Sequence, residues 1–155
     1  THRLRYRGIC RLAPAAGNAA APLNALYATN TGSQNLTSTR NPASFDTNQV
    51  EQGTAVSHTA STSTFTINEP GTYAISYSAT ATNTTGTGNV GLELQEDGTA
   101  IDGSETSAKI NNTSDPANLA ATVLVTAAGT ETITLNATEN NVTLSNAGLT
   151  IRKLD

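Results

Sequence analysis

From about residue 25 onward, apolar side chains recur at every second position. In the run from Gly71 to Ala79, Tyr73, Ile75 and Tyr77 share one face of an extended chain, and Thr72, Ala74, Ser76 and Ser78 share the other, because successive strand residues point to opposite sides. The alternation returns at Val90, Leu92 and Leu94, at Ala121, Val123 and Val125, at Ile133, Leu135 and Ala137, and at Leu149 and Ile151; Phe65 and Ile67 repeat it over a shorter run. Between these runs stand Glu69-Pro70-Gly71, Thr85-Gly86-Thr87-Gly88, Glu96-Asp97-Gly98, Asp115-Pro116, Ala128-Gly129-Thr130, Asn140-Asn141 and Asn146-Ala147-Gly148. Each supplies Gly, Pro, Asn or Asp for a tight reversal. The Ser/Thr-rich stretch from His58 to Phe65 reads as strand with a hydroxylated outer face. Roughly eight to ten short strands follow, with no helical period between them. The expected fold is all-β, an antiparallel β-sandwich rather than a parallel βαβ sheet.

Composition supports sheet over helix. Leu, Ile, Val and Phe make up only 28 of 155 residues, while Thr supplies 28, Ala 23 and Asn 16, a short, polar or β-branched mixture that suits pleated strands and turns. The length fits one domain with one core. With 13% charged residues and a net charge of -4, there is no general basic surface, so nucleic-acid binding is not expected. No run of about 18 apolar residues and no signal-peptide core occur, so no membrane insertion is expected.

Charge is nonetheless uneven. Residues 1–11 carry Arg3, Arg5, Arg7 and Arg11 without an acid, whereas residues 12–155 carry 4 bases against 12 acids. Residues 1–24 read as a flexible basic arm or linker, because Leu12 to Asn24 has no apolar period, and residues 25–155 read as the folded domain. The arm suits either an attachment peptide for an acidic partner or a tail foreign to the fold, and its composition favours the tail. A chain that begins at Thr1 reads as a processed or cut product.

Candidate chemistry is sparse. His2 lies in the arm, and His58 follows Ser57 on the opposite face of a strand, so the two cannot pair as base and nucleophile; a surface or rim position is expected for His58. Cys10 is the lone cysteine, which excludes an internal disulfide, a thiolate zinc site and a CxxC pair. Glu93, Glu96, Asp97, Asp102 and Glu105 cluster in sequence, but Asp97-Gly98 and Asp102-Gly103 are turn signatures and no calcium-loop spacing is present. Asn-x-Ser/Thr triplets at Asn35, Asn83, Asn111, Asn112, Asn136 and Asn141 are little more than this Thr- and Asn-rich composition gives by chance. No catalytic residue, metal or cofactor is expected.

The segment Gly53 to Tyr77, with its Pro70-Gly71-Thr-Tyr73-Ala-Ile-Ser-Tyr77 strand entry, the run Leu92-Glu-Leu-Gln-Glu-Asp-Gly98 and the closing Gly148-Leu-Thr-Ile-Arg-Lys-Leu154 together resemble a known family. They are similar to the C1q/TNF-like C-terminal domains of bacterial collagen-like proteins, including the exosporium hair glycoproteins of spore-forming bacteria. The resemblance spans about residues 25 to 155 and implies a jelly roll of about ten strands that forms a homotrimer. It further implies that this trimer caps a collagen-like stalk at a bacterial spore or cell surface, extracellular and without enzymatic activity. A second implied role is a binding module of the same fold for a surface glycan or host receptor. No Gly-x-y repeat precedes Ala25 within these residues, and residues 1–24 match nothing in the family.

Assembly has a physical motive as well, because few large aliphatics and no disulfide leave a thin core that neighbouring copies would supplement. The small face Thr72, Ala74, Ser76 and Ser78 permits close approach. Leu124, opposite in direction to Val123 and Val125, is an apolar group without company on a polar face. These five, with Tyr27, are the expected trimer-interface residues.

Overall fold

A computed structural model describes residues 22–155, and residues 1–21, which hold most of the basic arm with His2 and Cys10, lie outside the described residues. Among the described residues, twelve strands form: β1 Ala25–Asn30, β2 Gln34–Leu36, β3 Thr47–Gln52, β4 Val56–His58, β5 Phe65–Ile67, β6 Gly71–Asn83, β7 Gly88–Glu96, β8 Thr99–Ala100, β9 Thr106–Ile110, β10 Ala117–Ala127, β11 Glu131–Ala137 and β12 Val142–Lys153. The first sheet runs β10-β6-β12-β1-β3 with β2 beside β12; the second runs β4-β5-β11-β7-β8 with β9 beside β7. Every pairing is antiparallel. The surplus over about ten strands lies in two- and three-residue pairings such as β2, β4 and β8, too short for periodicity to register.

The core lies between the sheets, where alternation in the sequence becomes burial. Tyr73, Ile75, Tyr77, Leu149 and Ile151 from the first sheet meet Phe65, Ile67, Leu92, Leu94, Ile133 and Leu135 from the second, and all are buried. Two tyrosines satisfy their hydroxyls at the rim of this apolar layer, as buried polar groups must. Tyr73 donates to Glu69 O at 2.7 Å, and Tyr77 donates to Ser104 O at 2.6 Å. Burial pushes both phenols above their ordinary pKa; nearby Glu69, Asp155 and Glu131 add to this at Tyr73.

The strand expected between His58 and Phe65 is a connection instead. Thr62 N and Oγ1 both donate to Thr59 O, Ser61 takes φ of 70°, and Thr62 bridges to Phe45. Local hydroxyl-to-backbone bonds therefore outcompete the sheet ladder. Asn24, assigned to the arm, is already held: its Oδ1 accepts the N–H groups of Thr54 and Ala55, both at 3.0 Å, and its carbonyl accepts Lys153 N at 3.0 Å.

Candidate interaction surface

Register aligns the outward residues of the first sheet into cross-strand rows. Leu124, Ala74, Arg152, Ala25 and Gln52 make one row, and Thr122, Ser76, Thr150, Tyr27 and Val50 the next. Ala120, Ser78, Gly148 and Thr29 make a third. The middle of this face is thus built of Ala, Ser, Thr and Gly, over which another surface can approach closely. The Tyr27 ring lies over Gly148, where a Cβ would come within 3.3 Å of Cε1 and 3.4 Å of Oη; glycine lets the ring lie low. A shallow depression of about 320 Å³ opens beside it, lined in part by Ser78, Thr80, Asn118 and Asn146, and a smaller one of about 130 Å³ adjoins Ser76 and Thr150.

Exposed apolar groups concentrate here. Among the described residues, the exposed large ones are Leu23, Tyr27, Val50, Leu124 and Leu154. Tyr27, Val50 and Leu124 rise from the outer face, while Leu23 and Leu154 flank the start of β1 and the end of β12. None belongs to the second sheet. Charge behaves in the opposite way: of the 12 acids, Glu51 alone lies on a strand of the first sheet. It pairs with the buried Leu26, so it points away from the outer face.

All six residues expected at a trimer interface point outward on this sheet. Leu124, the most exposed at 65%, pairs across strands with Ala74, which is only 8% exposed. Ser78 is exposed, and Thr72 and Ser76 are half-buried. Val50 was absent from the expectation, because Thr47–Gln52 has no apolar alternation and Val50 is its one aliphatic residue.

The candidate chemistry does not converge. His58 is buried rather than at a rim: its ring stacks on Phe65 at 4.1 Å between centroids, with Nδ1 2.5 Å from Asn48 Oδ1 and Nε2 2.9 Å from Thr62 O. Phe45, brought in by the β2–β3 connection, closes the pocket edge-on, which no local pattern announces. Ser57 points out to solvent. Asp97 accepts Thr132 N at 2.9 Å and Thr132 Oγ1 at 3.2 Å, which serves the turn. Glu96 has one buried carboxylate oxygen without a partner, and its carboxyl is pushed above the ordinary range by burial first, then by Glu131 and Asp97. Among the described residues, no group of three His, Cys, Asp or Glu side chains is placed to hold a metal. No helix of the described residues is long and apolar enough to cross a membrane.

The family described as the BclA C-terminal domain matches residues 26–155. The chain belongs to this family. For a BclA C-terminal domain, likeness to solved structures then specifies the fold. Murine APRIL aligns over 85% of this chain and 99% of its own, at 14% identity and a TM-score of 0.67. The Eiger TNF of S. frugiperda aligns over 87% and 94%, at 11% identity and a TM-score of 0.64. The globular domain of zebrafish complement 1qA aligns over 83% and 94%, at 14% identity and a TM-score of 0.59. Identities this low speak to architecture alone, and the architecture of this BclA C-terminal domain is the C1q/TNF-like jelly roll. A comparison with curated protein sequences finds no match.

Proposed function

We propose that this BclA C-terminal domain is a non-catalytic trimerisation and surface-display module. Three copies pack through the outer faces of their first sheets, and the trimer caps a collagen-like filament on a bacterial spore or cell surface. The observation that carries this reading is the coincidence, on one sheet face, of small side chains, exposed apolar groups and freedom from acids. An acidic chain repels its own copies, and this face is where that repulsion is least. Cyclic three-fold symmetry would send the segments preceding the three domains out of the same end of the trimer, as a stalk requires. The non-catalytic reading is supported by His58, both of whose ring nitrogens have structural partners, and by Asp97, whose Oδ1 holds Thr132.

Sedimentation equilibrium at micromolar concentration is expected to give about three times the chain mass of 15.9 kDa; a monomer would overturn the reading. Leu124→Asp should dissociate the assembly, because a carboxylate in an apolar contact is left unpaired. Thr87→Asp, in an exposed turn, should not. Turnover in a hydrolase or transferase screen, lost on His58→Ala, Asp97→Ala or Asp102→Ala, would refute the non-catalytic part.

A second reading, a trimeric module binding a surface glycan or host receptor, draws on the hydroxyl and amide groups around the larger Tyr27 depression. Retention of the trimer on a glycan array, lost on Asn118→Ala or Asn146→Ala, would favour it.

A further inference from the structure

We infer that Asp102-Gly103 is a site of spontaneous backbone isomerisation, at which the aspartyl link becomes isoaspartyl and an acceptor for enzymatic carboxyl methylation. The chain holds two Asp-Gly dipeptides, Asp97-Gly98 and Asp102-Gly103, and the fold treats them differently. In both, the glycine has positive φ and open space around it, so no side chain crowds its amide nitrogen. The carboxylates differ. Asp97 Oδ1 accepts Thr132 N at 2.9 Å and Thr132 Oγ1 at 3.2 Å, while Asp97 N donates to Thr132 O at 2.9 Å, which holds its carboxyl against β11. Asp102 and Gly103 are both exposed, and among the described residues neither the Asp102 carboxylate nor the Gly103 N–H has a hydrogen-bond or ion-pair partner.

The reaction needs nothing from outside the chain but water. Gly103 N attacks Asp102 Cγ; an N–Cγ bond forms, a Cγ–O bond breaks, and the departing hydroxyl leaves as water with the amide proton. The resulting cyclic succinimide opens when water adds at either carbonyl. Addition at the Asp102 main-chain carbonyl breaks its bond to Gly103 N, so the chain then runs through Cγ and the former main-chain carbonyl becomes a free carboxylate. Mass and net charge return to their starting values, and the main chain is longer by one carbon, about 1.5 Å. The insertion falls beside a buried anchor. Ser104 N donates to Ile101 O at 3.1 Å across the same turn, and the fully buried Ser104 sends its Oγ to Ile101 O at 2.6 Å and accepts Leu94 N on it at 3.0 Å. The Ser104 carbonyl receives the Tyr77 hydroxyl of the first sheet at 2.6 Å. A longer chain between Asp102 and Gly103 therefore displaces a residue on which the two sheets are tied.

The experiment is incubation of the full folded chain at physiological temperature and neutral pH for several weeks. Labelling with a protein isoaspartyl carboxyl methyltransferase then counts the modified sites, and electron-transfer fragmentation of the peptides separates Asp97 from Asp102. Label is expected to accumulate at Asp102 and not at Asp97, whereas the same chain unfolded in urea should accumulate it at both. Asp102→Glu, whose cyclisation would have to close a larger ring, should stay at the level of fresh protein. Equal label at Asp97 and Asp102 in the folded chain, label unaffected by Asp102→Glu, or label at Asp102 only after unfolding would each overturn the inference. Aged parent protein should also unfold at a lower urea midpoint than fresh protein, and aged Asp102→Glu protein should not. A modified Asp102 with an unchanged midpoint would overturn its coupling to Ser104.

Discussion

The Tyr77 hydroxyl ties the two sheets together. Its ring lies in the core while Oη reaches Ser104 O and, at 2.8 Å, Thr106 Oγ1, both at the edge of the second sheet. Tyr77→Phe keeps the packing but leaves the Ser104 carbonyl without this donor. The expected loss is about 1–2 kcal/mol, measured as a lower urea midpoint at unchanged slope. Glu96 acts in the other direction. Its raised folded-state pKa means that the protonated carboxyl suits the fold, so its favourable contribution is complete only below the ordinary carboxylate range and is lost as pH rises through the raised value. At pH 7 the ionised group opposes folding. Glu96→Gln should therefore raise Tm at pH 7 by about 1–3 °C, with the gain shrinking toward pH 4; a gain that grew on acidification would contradict this account.

The β7–β8 hairpin shows how turn chemistry sets an element. Asp97 at φ 50° and Gly98 at φ 83° form the two-residue loop, whose left-handed pair of conformations matches strand twist. The pairing of Glu96 with Thr99 follows, and Asp97 extends the anchorage to Thr132 on β11. A β-branched residue tolerates positive φ poorly, so Gly98→Val should cost about 1–2 kcal/mol. Gly32 has open space around it and no positive φ, so Gly32→Ala should leave the denaturation midpoint within about 0.5 kcal/mol of the parent. Equal effects at the two sites would remove backbone conformation as the cause.

Across the whole molecule, charge governs association. Residues 12–155 hold 4 bases and 12 acids, and the one ion pair among the described residues, Lys153 with Asp155 at 3.7 Å, is largely exposed at its acid and contributes little. Three such domains repel, and salt screens that repulsion. Raising ionic strength from about 10 mM to 150 mM shortens the screening length from about 30 Å to 8 Å, so the proposed trimer should persist to lower protein concentration in sedimentation equilibrium. Weaker assembly at higher salt would instead indicate ion pairs across the interface, with Arg152 on the outer face the first residue to test.

Alternation made the core legible without coordinates. Because side chains on a strand switch sides at each residue, Tyr73, Ile75 and Tyr77 had to face inward together, and Thr72, Ser76 and Ser78 outward. Turn residues announced the β7–β8 hairpin in the same local way. Strand neighbours have no such local signal. That β6 lies between β10 and β12, placing Leu124 beside Ala74, and that β3 lies beside β1, placing Val50 beside Tyr27, depends on pairings between distant parts of the chain. His58 is buried for the same kind of reason: Phe45 and Asn48 reach it from an earlier connection and strand. The candidate surface was therefore readable in its small residues and in Leu124, but its second apolar edge came into being only when long-range register set β3 beside β1.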